Sequence, residues 1–167
     1  MFGGFKTIQY LCYMKNKISN VQIGLAGQFY VAAEFSVRGY QVGHLLGNSP
    51  NIDILVSNEK TGKPYRIQVK TTTTMTSKLG PKWKMTKKVE NISHENLFYV
   101  MVYLGGIDKP NKYYIVPSIE LSQYVKNDHQ NWLDTPGKKN QKHNDNDLRM
   151  FTDSNSKYLD RWDYFDN

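Results

Sequence analysis

Two short apolar runs separated by a polar hinge constrain the fold of this chain more than any other feature. The first run, Ile-Asp-Ile-Leu-Val, begins at Ile52, and the second, Tyr-Arg-Ile-Gln-Val-Lys, begins at Tyr65. Both runs are rich in β-branched residues, and the hinge between them, residues 58–64, contains glycine and proline. This pattern predicts two neighbouring β-strands joined by a loop.

The same strand pair carries polar residues whose positions suggest chemistry. Asp53 lies between two isoleucines, in a strand context where aspartate is depleted. Gln68 and Lys70 are two positions apart, so their side chains point to one face of the second strand. A half-solvated sheet edge also shows such alternation. The functional alternative is a site in which an acid, an amide and a lysine act on a phosphodiester.

The composition is that of one ordinary globular domain. The chain has 167 residues, of which 39% are hydrophobic and 22% charged. No apolar run reaches the roughly 18 residues of a membrane-spanning helix, so we expect no membrane association. Cys12 is the only cysteine, which excludes an internal disulfide and is typical of a cytoplasmic protein. We predict an N-terminal extension, residues 1–21, and a single domain, residues 22–167.

Positive charge is concentrated in one segment of the chain. The net charge is +7, and residues 63–88 contain eight basic residues and no acid. A solvated basic loop is one explanation. The other is a surface that faces a polyanion, because a phosphate backbone requires positive charge beside the reacting centre. The residues predicted to bind nucleic acid are Lys78, Lys82, Trp83, Lys84, Lys87 and Lys88, with Trp83 as a candidate for stacking on bases.

Hydrophobic periodicity predicts a first helix over residues 23–39. The positions expected to face the sheet share one side of this helix: Leu25, Phe29, Ala32, Ala33 and Ser36. At about 100° per residue, Gln28 lies at the edge of that stripe and Glu34 lies almost opposite it. Gln28 is therefore the helix residue expected near the strand pair.

The rest of the pattern predicts an α/β fold with a mixed sheet. Residues 71–88 are predicted to form a loop or an irregular strand, and the tail, residues 148–165, a short helix that closes the core. Further strands are predicted at residues 40–46, 97–104 and 112–116, the last two forming a hairpin, with a turn at 47–50 and a helix from 117 to about 132.

These elements resemble the PD-(D/E)XK nuclease superfamily, which includes restriction enzymes, homing endonucleases and Holliday-junction resolvases. The resemblance spans residues 22–74 and rests on three stretches: Gly-Leu-Ala-Gly-Gln at 24–28, Ile-Asp at 52–53 and Gln-Val-Lys at 68–70. It implies a restriction-endonuclease-like core of three layers, with a mixed central β-sheet flanked by helices.

The resemblance also implies catalytic roles for four residues. Asp53 would bind a divalent cation, Mg²⁺ or Mn²⁺, and Gln68, in the place of the motif's second acid, would offer its carbonyl oxygen to the same metal. Lys70 would orient the attacking water and stabilise charge on the phosphate. Gln28 stands where related proteins often carry a glutamate on the first helix. Two neutral amides thus replace two acids, a departure from the usual pattern.

We therefore expect a metal-dependent nuclease that hydrolyses DNA, with duplex DNA as its partner. Symmetric cutting of a duplex would favour a homodimer. One alternative is a nucleic-acid-binding module that kept the fold and lost catalysis. Another is a protein-interaction module, of the immunity or inhibitor kind, whose basic face meets an acidic protein. The nuclease requires its predicted site residues to converge, which the other two do not.

Overall fold

The computed structural model describes residues 18–45, 50–76 and 79–166. Across these ranges the helices are α1 (Asn20–Val37) and α2 (Ser118–Asp134), and two 3-10 helices cover Lys87–Asn91 and Trp162–Phe165. The strands are β1 (Tyr40–His44), β2 (Ile54–Asn58), β3 (Pro64–Thr72), β4 (Met75–Thr76), β5 (Gly80–Thr86), β6 (Leu97–Tyr103), β7 (Lys112–Pro117) and β8 (Leu148–Thr152). None of the described helices is long and apolar enough to cross a membrane.

A five-stranded sheet with the order β1-β2-β3-β6-β7 forms the centre of the fold. Strands β3 and β6 pair in parallel, whereas the other neighbouring pairs are antiparallel. The predicted hairpin is formed by β6 and β7. The prediction of an α/β fold with a mixed central sheet is therefore confirmed.

Two hydrophobic clusters cover the two faces of this sheet, which gives the fold three layers. On one face, α1 packs its Val31 and Phe35 against apolar side chains that include Ile67 and Val69 of β3. On the other face, α2 and the small sheet of β4, β5 and β8 enclose a second cluster around Trp83. Because side chains alternate along a strand, Gln68 and Lys70 point to this second side.

Helix α1 forms as predicted but docks through a different face. It begins at Asn20 behind a capping box made by Ser19 and Gln22, three residues before the predicted start. Its buried residues are Gly27, Val31 and Phe35. The predicted inward face was mostly wrong, because Leu25 is 46% exposed and Phe29 is 59% exposed. Of the predicted inward residues, Ala32 does pack against the core.

The close approach of one glycine explains this docking. A Cβ atom on Gly27 would lie 1.9 Å from Oγ1 of Thr71, so only a glycine lets the helix backbone come this near to β3. Two branched or aromatic side chains at i+4 spacing, Val31 and Phe35, then fill the space along the sheet. Backbone proximity, rather than the widest apolar stripe, orients the helix.

Two predicted irregular segments are more regular than expected. Residues 71–88 include the end of β3 and the whole of β4 and β5. In β5 every second side chain is buried, those of Pro81, Trp83 and Met85, as expected for a strand. The tail forms strand β8 and then a 3-10 helix, rather than one short helix. Residues 1–17 of the predicted extension and residues 46–49 of the predicted strand end and turn lie outside the described residues.

Candidate active site

Asp53 occupies the point where the β2–β3 ladder ends. Its backbone N–H donates to the carbonyl of Ile67 at 2.8 Å, which continues the antiparallel pairing by one step. Its side chain then turns toward β3, where Oδ2 accepts hydrogen bonds from the backbone N–H of Val69 at 2.7 Å and from Nε2 of Gln68 at 2.5 Å. The carboxylate is thus held at the open edge of the central strand.

Burial dominates the electrostatics of this carboxylate. It raises the pKa of Asp53 above its usual value, while the Val69 N–H and the positive charges of Lys70 and His44 act in the opposite direction. The net shift is upward, so the negative charge is incompletely compensated by the protein. A bound cation would supply the missing compensation.

Lys70 and Tyr99 surround the same carboxylate. Lys70 lies two residues along β3 from Gln68, on the same face, and Tyr99 is directly opposite Gln68 on β6. Burial raises the pKa of Tyr99 to about 12, with a further contribution from the charge of Asp53. Three of the predicted catalytic residues, Asp53, Gln68 and Lys70, are therefore neighbours in the structure.

The helix residue Gln28 is half-buried on α1. The residue before it, Gly27, abuts Thr71 of β3, and the residue after it, Phe29, stacks on His44 of β1. Glu34, which the predicted stripe placed almost opposite the inward face, is half-buried and forms an ion pair with Arg38, so its placement on the far side was wrong. The catalytic role of Gln28 stays a prediction.

His44 is a charged neighbour of Asp53 that the sequence did not predict, and it lies on the side of the sheet that α1 covers. It ends β1, opposite Ile54 of β2, and its positive charge lowers the pKa of Asp53. The ring of Phe29 stacks on the imidazole with centroids 5.4 Å apart. Its Nε2 atom is buried and has no hydrogen-bond partner among the described residues. A buried polar atom of this kind usually has a hydrogen-bond partner, and a water molecule could supply it.

Two oxygen-bearing side chains meet at this position. Because the amide nitrogen of Gln68 faces Asp53, the carbonyl oxygen of Gln68 is left as a possible ligand beside the carboxylate. The described residues contain no group of three or more His, Cys, Asp or Glu side chains suited to a metal. One carboxylate and one neutral amide oxygen are ligands of the kind that Mg²⁺ or Mn²⁺ accepts, with water in the remaining positions.

A cleft of about 520 Å³ opens beside this group. Gln68, Tyr99 and Lys70 contribute to its lining, whereas Asp53 is not among the described residues that line it. Lys84 and Lys88 line the cleft from β5 and the 3-10 helix that follows. Three lysines therefore border the space next to the carboxylate.

The structure divides the predicted nucleic-acid-binding residues. Lys84 and Lys88 lie at the cleft, but Lys87 pairs with Asp145 through a contact of 2.7 Å. Lys82 is half-buried. Its positive charge lowers the pKa of the Asp128 carboxyl, but burial of that carboxyl raises the pKa by more. Lys78 lies outside the described residues.

Trp83 requires a correction. It is only 2% exposed, and its indole Nε1 donates to the carbonyl of Val102 at 3.0 Å. Its ring packs edge-on against Tyr114, with centroids 5.1 Å apart. The side chain belongs to the core between the sheets, so it does not stack on bases. Inward positions of a strand are buried whatever the charge of the neighbouring lysines.

Comparison with known proteins supports the fold. No protein-family model and no curated protein matches the sequence. Among solved structures, the chain is similar to a bacterial homing endonuclease, I-Ssp6803I, with a TM-score of 0.51 and 12% sequence identity. The similarity covers 88% of this chain and 91% of that chain. At this level of identity the similarity is one of fold, and this chain has a nuclease-like α/β fold.

Proposed function

We propose that this chain is a metal-dependent nuclease of the PD-(D/E)XK type that hydrolyses phosphodiester bonds in DNA. One observation carries the proposal: Asp53 at the end of β2 accepts hydrogen bonds from Gln68 and from the backbone of Val69, beside Lys70 and the lysine-bordered cleft. The similarity of fold to a homing endonuclease supports the same class of reaction.

In this proposal each residue has a defined task. Asp53 would hold the cation, with the carbonyl oxygen of Gln68 as a neutral ligand. When bound, Mg²⁺ or Mn²⁺ neutralises charge on the phosphate and lowers the pKa of a coordinated water. Lys70 would orient the attacking water and donate to the phosphate oxygen on which charge develops. Gln28 completes the proposed set from the side of α1.

The test is cleavage of plasmid, linear duplex and single-stranded DNA with Mg²⁺ or Mn²⁺ and, separately, with EDTA. We expect metal-dependent cleavage that falls by about 100-fold or more in Asp53→Ala and in Lys70→Ala, because each removes charge that acts on the transition state. Lys126→Ala, an exposed position on α2, is the matched control and should retain activity. Cleavage that continues in EDTA or survives both site variants contradicts the proposal.

A second candidate function is nucleic-acid binding without catalysis. The observation in its favour is the hydrogen bond from Gln68 to Asp53, because it satisfies the carboxylate without a metal. This candidate predicts DNA or RNA binding that weakens with salt, requires no metal and falls when Lys84 and Lys88 are neutralised. Salt-insensitive behaviour excludes it. The homodimer expected for symmetric duplex cutting stays a prediction, which sedimentation of the purified chain tests.

A further inference from the structure

The cleft beside Gln68 and Lys70 has apolar as well as charged and polar lining residues, although a phosphate backbone requires only the charged ones. Its volume of about 520 Å³ lies within the range of roughly 300–1,000 Å³ that is typical of pockets enclosing small organic ligands. It lies between β5, with the 3-10 helix that follows, and the exposed end of β3. Gln68 and Tyr99 are the polar groups contributed by the central sheet.

The lining of this cleft is mixed in chemistry. It includes the ammonium groups of Lys70, Lys84 and Lys88 and the apolar side chains of Met85, Val89, Ile92 and Leu148. Asn51, Thr86 and the carboxylate of Asp147 also line it. Burial and the charge of Asp53 raise the pKa of Tyr99 to about 12, so its hydroxyl remains a hydrogen-bond donor at neutral pH. The cleft thus offers cations, an apolar wall and hydrogen-bonding groups within one space.

A duplex uses only part of this arrangement. In B-form DNA the bases are stacked and paired, so a protein meets phosphates and groove edges but not the flat faces of bases. An unpaired nucleotide presents both a phosphate and an unstacked base face. Only the second kind of ligand can contact the lysines and the apolar wall together.

We propose that this cleft binds one unpaired nucleotide of a nucleic acid strand, with its phosphate at Lys70, Lys84 and Lys88 and its base against the wall formed by Met85, Val89, Ile92 and Leu148. The inference rests on the proposed function, since it places that nucleotide beside Asp53. It goes further by naming the substrate class: single strands, or strands with unpaired positions, in preference to continuous duplex.

The test is fluorescence anisotropy in EDTA, where no cleavage contributes. A short labelled single strand is compared with the duplex of the same sequence, and thymidine monophosphate and inorganic phosphate are the competitors. We expect the single strand to bind about tenfold or more tightly than the duplex, the scale of stacking one base. Equal or tighter binding of the duplex overturns the proposal. Equal affinity for the free mononucleotide and the strand overturns the assignment to a strand.

Two polar variants of the wall locate the bound nucleotide. Ile92→Ser and Leu148→Ser remove apolar surface from half-buried or exposed side chains on the wall, and each should weaken single-strand binding by roughly fivefold. Ile119→Ser on α2, where the side chain is 39% exposed, is the control. Thermal unfolding establishes that each variant folds. Unchanged single-strand binding in the folded wall variants overturns the site.

Loss of nuclease activity and loss of this binding are separable. If the chain binds single strands through the cleft and cleaves nothing, the proposed catalysis fails and the binding site stands. If it cleaves DNA in a manner that depends on Asp53 and binds duplex as tightly as single strands, the catalysis stands and this inference fails.

Discussion

A single half-buried charge, that of Asp53, makes the first prediction. Asp53→Asn keeps an oxygen that can accept from Gln68 and Val69, and it removes a charge whose burial raises the pKa of the carboxyl. We expect the variant to be more stable than the natural chain at pH 7 in EDTA. A gain on the order of 1 kcal/mol corresponds to about 2–4 °C in a domain of this size.

The pH dependence follows from the direction of that shift. Because the folded-state pKa lies above the ordinary value of 3.8, the folded natural chain holds this proton more tightly than the unfolded chain does. Its relative stability therefore falls as pH rises from the ordinary pKa through the raised one. The advantage of Asp53→Asn should vanish near pH 4 and reach a plateau by pH 7 in urea titrations. The exposed Asp108→Asn serves as control, and a destabilised Asp53→Asn at pH 7 contradicts the account.

Gln68 makes the second prediction at this scale, because an amide can donate to Asp53 and a carboxylate cannot. Gln68→Glu replaces the donated hydrogen bond with a second negative charge, which should destabilise the chain by about 1–3 kcal/mol in EDTA. Mg²⁺ or Mn²⁺ should then stabilise this variant more than the natural chain, since binding shifts folding by mass action. Thermal unfolding with and without metal measures both effects. Gln123→Glu, exposed on α2, should show neither, and an unchanged metal response would refute the role of Gln68.

Sequence spacing was sufficient to bring Asp53, Gln68 and Lys70 together, because two paired strands fix their neighbours within a few ångströms. It missed His44, since the proximity of His44 to Asp53 depends on the register between β1 and β2, for which the sequence carries no periodic signal. It misplaced Trp83 because its lysine neighbours suggested a loop, whereas strand alternation sends every second side chain inward.

At the scale of elements, the packing of α1 on β3 depends on Gly27. Gly27→Ala would place a Cβ 1.9 Å from Oγ1 and 3.0 Å from Cβ of Thr71, so the helix or the strand must shift. We expect destabilisation of roughly 1–3 kcal/mol, the usual cost of overpacking. Because Thr71 adjoins Lys70, the shift should also reduce any catalytic activity. Urea unfolding measures the first effect and the cleavage assay the second.

Gly24 provides the matched control on the same helix. An added Cβ there meets nothing within 4 Å, so Gly24→Ala should gain helix propensity of about 0.5–1 kcal/mol. Replacing glycine by alanine changes the helix propensity equally at both positions. The difference in unfolding free energy between the two variants therefore measures the contact with Thr71. A Gly27→Ala variant as stable as Gly24→Ala would show that α1 does not require the close approach.

The same contact explains which part of α1 the sequence could predict. The capping residues and the apolar content define a helix in almost the observed place. The orientation was not predictable from periodicity, because the helix has apolar residues on two faces and a glycine, which adds no hydrophobic signal, selects between them. Leu25 and Phe29 are consequently exposed while Val31 and Phe35 are buried.

At the scale of the whole molecule, the net charge of +7 is less informative than the ion pairs that individual lysines form. Lys87 is tied to Asp145, whose pKa is lowered by hydrogen bonds from Lys87 and His129. Lys84 and Lys88 border the cleft instead. The charge distribution along the sequence predicts a surface that faces a polyanion, and the fold shows which of its lysines border the cleft and which one is paired with an acid.

This division predicts how nucleic acid binding responds to salt. For each lysine that neutralises a phosphate, the slope of log affinity against log salt changes by about 0.7 for single strands. Lys84→Gln and Lys88→Gln should each reduce the slope by about that amount. Lys87→Gln should reduce it less, because its partner Asp145 already offsets its charge. Anisotropy titrations between about 50 and 200 mM salt measure the slopes.

The pattern among these variants separates a focused site from a diffuse charge. If the whole molecule attracts the strand through its net charge, Lys126→Gln on the surface of α2 lowers the affinity as much as Lys84→Gln does. If the cleft is the site, Lys126→Gln leaves the slope unchanged, and the double variant of Lys84 and Lys88 loses about twice the slope of either single variant. Equal effects at all four lysines would contradict the division that the fold imposes on the basic segment.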